Sequence, residues 1–380
     1  MLRLHLLERI WLMNTRFGVA VLAFAMASMS IVPTAQAQDV AAVLPAPAAQ
    51  SDTSDVRDMD TVVVTGVQPG PGLWRVRRDD GHTLYILGTQ SPLPADMTWR
   101  ADEVRQVLAE ADAALGPPGV KVDADVGFFR GLTLAPSAFR AMRNPDGASL
   151  DELLPADLYA RWAALKQRYI GRDRGIERKR PFIAVYQLYR AALEHNGLRE
   201  GGIIGPVIDE ALKARGLPIT PTVVELKIED PRGALATFRR ETLKPEDLEC
   251  VRGTLDIIEN DLPRIAARAN AWAVGDLDAL RGMPDARAQV MACLSAWTAS
   301  ETARGLGMVD VESKVAAAWL SKVDAALAEH EVVFATVPLD ALMRADGRLA
   351  ALRARGYTVL APDAVDAVED AEIEAAAVMP

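Results

Sequence analysis

The sequence predicts an α/β protein whose central mixed sheet is formed from both ends of the chain, with a large helical insertion between them. Three observations carry that expectation. Near its start the chain reads β-prone run, turn, β-prone run, helix and short apolar strand, from Leu73 to Leu115. Near its end it reads strand, helix, strand, from Glu331 to Leu360. Between these, over about residues 149–328, helical periodicity with caps and stop signals prevails.

The first 37 residues read as an export signal. Arg3, Arg9 and Arg16 precede an apolar run from Phe17 to Val32, and Ala35-Gln36-Ala37 supplies a small-x-small cleavage site. Met1 and Met13 are both possible starts, since the segment from Met13 alone holds a basic and an apolar region. Cleavage near Ala37 implies a periplasmic or secreted protein. No later stretch is apolar for long enough to span a bilayer, so the mature chain has no expected transmembrane segment. Residues 38–70 form a leader of Ala, Pro, Ser, Gln and Asp that reads as disordered. One domain is expected over residues 71–362, followed by an acidic tail over 363–380.

Leu73–Arg78 and Thr83–Leu87 are β-prone and flank Asp79-Asp80-Gly81-His82, whose Asp-Gly pair signals a hairpin. A helix follows from about Ala101 to Asp112. Ala113–Leu115 reads as a buried strand that Gly116-Pro117-Pro118-Gly119 stops. Strand, helix, strand in that order predicts a parallel crossover. In the insertion, Ser149-Leu150-Asp151-Glu152 has the form of a capping box. Helices are expected over 155–169, 181–195 and 205–215, the last stopped by Gly216 and Pro218. Thr220–Leu226 reads as one strand, and Pro231 to about Ala328 as several helices. Glu331–Val337, a helix near Asp346–Arg355, and Tyr357–Leu360 make a second βαβ unit.

The formal charge of −10 becomes about −12 once Arg3, Arg9, Arg16 and Glu8 leave with the signal. Such an acidic chain carries no electrostatic footprint for nucleic acid. Cys250 and Cys293 are its two cysteines, and in an oxidising compartment a lone pair reads as a disulfide. Two separate buried thiols or a reactive pair are the alternatives, and no CxxC spacing supports redox catalysis.

Two segments, Leu73–Pro94 and Phe334–Val359, resemble the two ends of the TraB/GumN family, which includes the Tiki-type metal-dependent peptidases. Further matches are Ala111-Asp112, Ile208-Asp209 with Ala211 and Gly216, and Glu225. Trp272, Gly275, Asp276 and Leu277 resemble the family's W-x-x-G-D-L turn, and Asp346-Gly347, Leu352 and Gly356-Tyr357 its end. The resemblance covers Leu73 to Leu360 and implies the α/β arrangement shared with erythromycin-esterase and ChaN-like proteins. It also implies two GxxH motifs whose histidines hold a metal. Here those motifs read Gly88-Thr89-Gln90-Ser91 and Pro338-Leu339-Asp340-Ala341, without a histidine. Gly116-Pro117-Pro118 stands where the family carries an acidic residue, and Val311–Leu320 lacks its Arg-Asn pair.

Concerted replacement points to a degenerate metallopeptidase-like fold acting by binding a ligand or an envelope partner, with no cofactor. A hydrolase with a rebuilt site and a structural envelope protein are the competing readings. His82, His195 and His330 share no ligand spacing, so a His-based metal site is not expected. Asp209, Glu225 and Asp340 are candidates to approach one another at the sheet's end, where calcium or magnesium accepts carboxylates. The plainer reading makes Asp209 a helix-face residue, pairs Glu225 with a nearby Lys or Arg, and has Asp340 cap a helix. Ser91 is a candidate nucleophile at a strand's C-terminal end, though no histidine is assignable as its base. Arg178, Lys179 and Arg180 form a basic run among aromatics, a candidate surface for an anionic ligand or else a solvated loop.

Overall fold

Gly81 closes the first hairpin. The computed structural model describes residues 70–123, 128–285, 290, 303–304 and 310–364. The export signal, nearly all of the leader, the tail beyond residue 364 and Cys293 therefore lie outside the described residues. β1 (Trp74–Arg77) and β2 (Thr83–Thr89) pair antiparallel around the turn. Gly81 has a φ of 93°, a conformation glycine adopts without a Cβ penalty, and its N–H donates to Arg78 O at 3.0 Å.

A short β3 (Leu93–Pro94) precedes α1 (Asp102–Glu110), which buries Val104, Val107 and Leu108 at helical spacing. After β4 (Ala113–Leu115) the two prolines end one strand, yet a second begins at once as β5 (Gly119–Asp123). Four helices follow: α2 (Phe128–Ala141), α3 (Leu150–Leu153), α4 (Ala156–Tyr169) and α5 (Pro181–His195). The Ser149 capping box forms, its N–H donating to Glu152 Oε2 at 3.1 Å. β6 (Leu198–Arg199) pairs with β3 and leads into α6 (Gly205–Arg215). Gly216 ends α6 in the left-handed region at φ 65°, while Leu217 N–H closes on Leu212 O at 3.0 Å.

The strand expected over Thr220–Leu226 is two strands, β7 (Ile219–Thr220) and β8 (Val223–Lys227). Pro221 lies at the break, where it supplies no ladder N–H. Helices α7 (Pro231–Arg240), α8 (Pro245–Asn260), α9 (Leu262–Ala273), α10 (Leu277–Gly282) and α11 (Val311–Glu329) carry the chain back to the sheet. It closes with β9 (Val332–Pro338), α12 (Leu339–Met343), α13 (Arg348–Ala354) and β10 (Thr358–Leu360).

The six-stranded sheet has the order β10-β1-β2-β9-β4-β7, so strands from both ends of the chain do interleave. β1 runs antiparallel to β10 and β2, whereas β2, β9, β4 and β7 are parallel. The crossover from β2 to β4 is parallel as expected, with β9 inserted between the two. Val333–Val337 of β9 are buried, as a strand covered on both faces requires. β5 and β8 form a separate parallel pair.

Two apolar clusters result. One gathers around the sheet and includes Ile86, Leu87, Phe334 and Val337. The other lies among α3, α4, α5, α8 and α9, around Trp162, Tyr189 and Leu255. The insertion divides between them, because Ile208, Leu212, Trp272 and Trp319 pack with the sheet. Cys250 is buried on α8, and its pairing with Cys293 falls outside the described residues. Among the described residues no helix is long and apolar enough to cross a membrane.

Candidate functional site

Parallel strands bring their C-terminal ends to one side of a sheet, and there α/β proteins hold ligands. β2, β9 and β4 end together at Thr89, Pro338 and Leu115 beside a cleft of about 490 Å³. The Gly201-Gly202 turn and the first turns of α6 form its opposite wall. Alternation along β9 turns Phe334, Thr336 and Pro338 to the cleft and the intervening residues away. Ile203, Ile208 and Ile219 add apolar surface; Thr89, Ser91 and Tyr186 add hydroxyls. The charged side chains lining it are Glu200 and Asp209.

The floor of this cleft is braced from behind by α9. A Cβ on Gly88 would lie 2.6 Å from Leu339 Cδ1 and 2.8 Å from Trp74, so only glycine lets these layers close. Trp272 Nε1 donates to Gly88 O at 2.7 Å. Gln90 is buried, donating to Ser91 O at 3.2 Å and accepting from Arg268 Nε at 3.1 Å. Arg268 is itself buried; its Nη1 donates to Leu280 O at 2.7 Å and Met283 O at 2.9 Å. Asp285 lies 3.3 Å from its Nη2. Asp276 caps α10 by accepting from Ala279 N–H at 2.9 Å, which holds the Leu280 carbonyl in place. Sequence reasoning noticed Trp272 and Asp276 but missed Arg268, whose signal was its position one helical turn before Trp272.

Of the candidates named from sequence, Ser91 and Asp209 line the same cleft. Glu225 does not; it accepts from Lys121 Nζ at 2.7 Å on the β5–β8 pair, and that hydrogen bond raises the lysine pKa. Asp340 sits in the first turn of α12, outside the cleft lining. The three carboxylates are thus not gathered. Among the described residues no group of three His, Cys, Asp or Glu stands close enough to share a metal ion.

The basic run also divides. Arg178 is exposed, and Lys179 Nζ donates to Gln187 Oε1 at 2.7 Å, burial pushing its pKa down. Arg180 is buried and its pKa is lowered by that burial. Its Nε donates to Ala141 O at 3.0 Å, its Nη1 to Glu241 O at 3.1 Å and its Nη2 to Phe238 O. The guanidinium carbon lies 4.3 Å from the Phe238 ring centroid, beside a second cavity of about 510 Å³. Arg180 is a structural tie here, not part of a continuous basic surface.

The imidazoles stand apart from the cleft. His82 Nδ1 meets Leu327 O at 2.8 Å at the opposite end of β2, and His195 packs edge-on to Tyr169. His330 ends α11. Where the family resemblance implies two histidines the chain carries Ser91, which lines the cleft, and Ala341, which is outside its lining. Glu200 accepts from Tyr186 Oη at 2.8 Å and has Arg190 Nε at 3.9 Å. A hydroxyl, an engaged carboxylate and the exposed Asp209, with no histidine or cysteine beside them among the described residues, do not make the close set of ligands that a catalytic transition metal takes.

Comparison with family models matches residues 72–361 to the TraB/PrgY/gumN family. Comparison with curated proteins and with solved structures gives no match.

Proposed function

The chain belongs to the TraB/PrgY/gumN family, and on that premise we propose that it is an exported member that works by holding a ligand in the sheet-end cleft. One observation carries this reading. The cleft remains open at about 490 Å³ while the strand end beneath it is pinned by Arg268 and Trp272. A relic with a purely structural role has no need of an open mouth. Leu339 and Leu342, the side chains best placed in sequence to fill it, are instead buried in the sheet core. The donor set does not suit the family's metal, so no metal-dependent step is derived for this chain.

The test is to purify the chain from a periplasm, extract it under denaturing conditions, and identify small molecules by mass spectrometry. Intact-mass measurement of the same sample should give a chain starting near Gln38. A stoichiometric ligand that disappears in Ile219→Trp, a change at the cleft mouth, supports the reading. Retention of that ligand by a folded Ile219→Trp would remove it.

The hydrolase reading keeps one specific observation, that Ser91 and Asp209 line the same cleft. A serine nucleophile needs a base, and among the described residues no imidazole lines the cleft. Ser91→Ala should therefore leave any ester or peptide turnover unchanged; its loss would favour the hydrolase.

A further inference from the structure

We propose that the cleft selects an amphipathic amine, an alkylammonium head carried on an apolar body. The inference rests on the cleft being a ligand site and adds the chemistry of the occupant. Three features of the lining converge on it. The first is apolar: Phe334, Ile203 and Ile208 form a continuous choice of hydrocarbon partners. Ile219 remains 42% exposed at the sheet edge, surface that an apolar ligand would cover. The second is charge. Glu200 and Asp209 line the cleft, and among the described lining residues there is no lysine or arginine. Arg190 touches Glu200 from outside at 3.9 Å and leaves Asp209 as the exposed anion.

The third feature is Thr336. It lies on the cleft face of β9, where its hydroxyl is one of the polar groups lining the cavity. A hydroxyl turned into a largely apolar cavity offers an acceptor to a ligand's polar head. An ammonium has three N–H donors and no acceptor, which suits two carboxylates and a hydroxyl oxygen. A carboxylate ligand would meet like charge at Asp209. A neutral alcohol would keep the apolar contact and the hydroxyl but lose the ionic attraction.

Free alkylamines and lysine side chains flanked by apolar residues share this chemistry. Calorimetry on the full mature chain at pH 7 and low salt separates them. The probes are n-octylammonium, 1-octanol, octanoate and a capped Leu-Lys-Leu tripeptide. The amine should bind about tenfold more tightly than octanol, with octanoate weaker than both. Asp209→Asn should reduce the amine to the octanol level, and Thr336→Val should weaken the amine more than octanol. A tripeptide tighter than octylammonium assigns the head group to lysine; the reverse order assigns it to a free amine. Equal binding of amine and octanoate, or an unchanged ratio in Asp209→Asn, overturns the amine class. The cleft itself survives that result if Ile219→Trp still abolishes binding of every probe. If no probe binds, the amine class falls. If, in addition, a co-purified ligand is retained in Ile219→Trp, the cleft reading falls as well.

Discussion

Arg268 and Arg180 are buried to the same extent, at 6% exposure each, but in different halves of the molecule and on different terms. Arg268 joins α9 and α10 to the end of β2. It has a carboxylate at 3.3 Å, a side-chain amide and two carbonyls. Arg180 joins the ends of α2 and α7 to the start of α5. It has three carbonyls and one aromatic face, with no carboxylate in salt-bridge contact among the described residues. The difference follows from what each site offers. The last carbonyls of a helix lack intrahelical partners and carry the negative end of its dipole. Two such ends meet at Arg180, and the Glu241 and Asp247 carboxylates add favourable charge beyond ion-pair distance. Arg268 also meets a helix end, the Leu280 and Met283 carbonyls at the end of the short α10, and adds a direct ion pair with Asp285 at 3.3 Å. One arginine braces the strand end beside the cleft, and the other ties a helical lobe.

The comparison is most directly broken by removing each cation in turn. Arg268→Met takes the donor from Gln90 and two carbonyls and one partner from the part-exposed Asp285, and should cost about 2–4 kcal/mol in urea unfolding. Arg180→Met strands three carbonyls beside an open cavity that water can enter, so a smaller loss of about 1–3 kcal/mol is expected. The reverse order would mean that the direct ion pair at Arg268 contributes less than the two helix ends at Arg180. Arg268→Met should also weaken ligand binding at the cleft, whereas Arg180→Met should not.

A smaller effect, and one of opposite sign in the two halves, comes from alkaline titration. In the sheet half, burial and then the 2.8 Å hydrogen bond to Asp324 push the Tyr357 pKa up to about 12. A raised pKa contributes stability below the unfolded value near 10 that is lost as pH climbs to about 12. In the helical half, burial lowers the Lys179 pKa below its ordinary 10.5. The unfolded chain then binds more protons in that window, and stability rises with pH up to about 10.5. Relative to wild type, Tyr357→Phe should flatten the loss above pH 10, and Lys179→Met should flatten the gain below it. Unfolding midpoints measured from pH 8 to 11.5 read both slopes.

Much of the sheet was legible because its signals are local. The Asp-Gly turn, the apolar run at Ala113–Leu115 and the Gly216 stop each act within a few residues. β5 was not legible, and β8 was read only as part of one strand over Thr220–Leu226. Pro117 and Pro118 ended β4 as expected, whereas the break at Pro221 and the pairing of β5 with β8, about a hundred positions apart, leave no local signal. Arg180 misled because charged runs are usually solvated, and nothing adjacent to it in sequence announces the two helix ends it joins. At the site, Ser91 and Asp209 were each visible from the family pattern. The Gln90–Arg268 brace spans 178 positions, and the place of Thr336 on the cleft lining shows only in three dimensions.

Elemental analysis of the mature chain, purified from a periplasm without affinity-metal resin, tests most directly whether this family member has left metal chemistry for ligand binding. Metal at background alongside a retained small-molecule ligand is the predicted result. Stoichiometric zinc, manganese or another transition metal would contradict it, and would mean that a rebuilt metal centre exists.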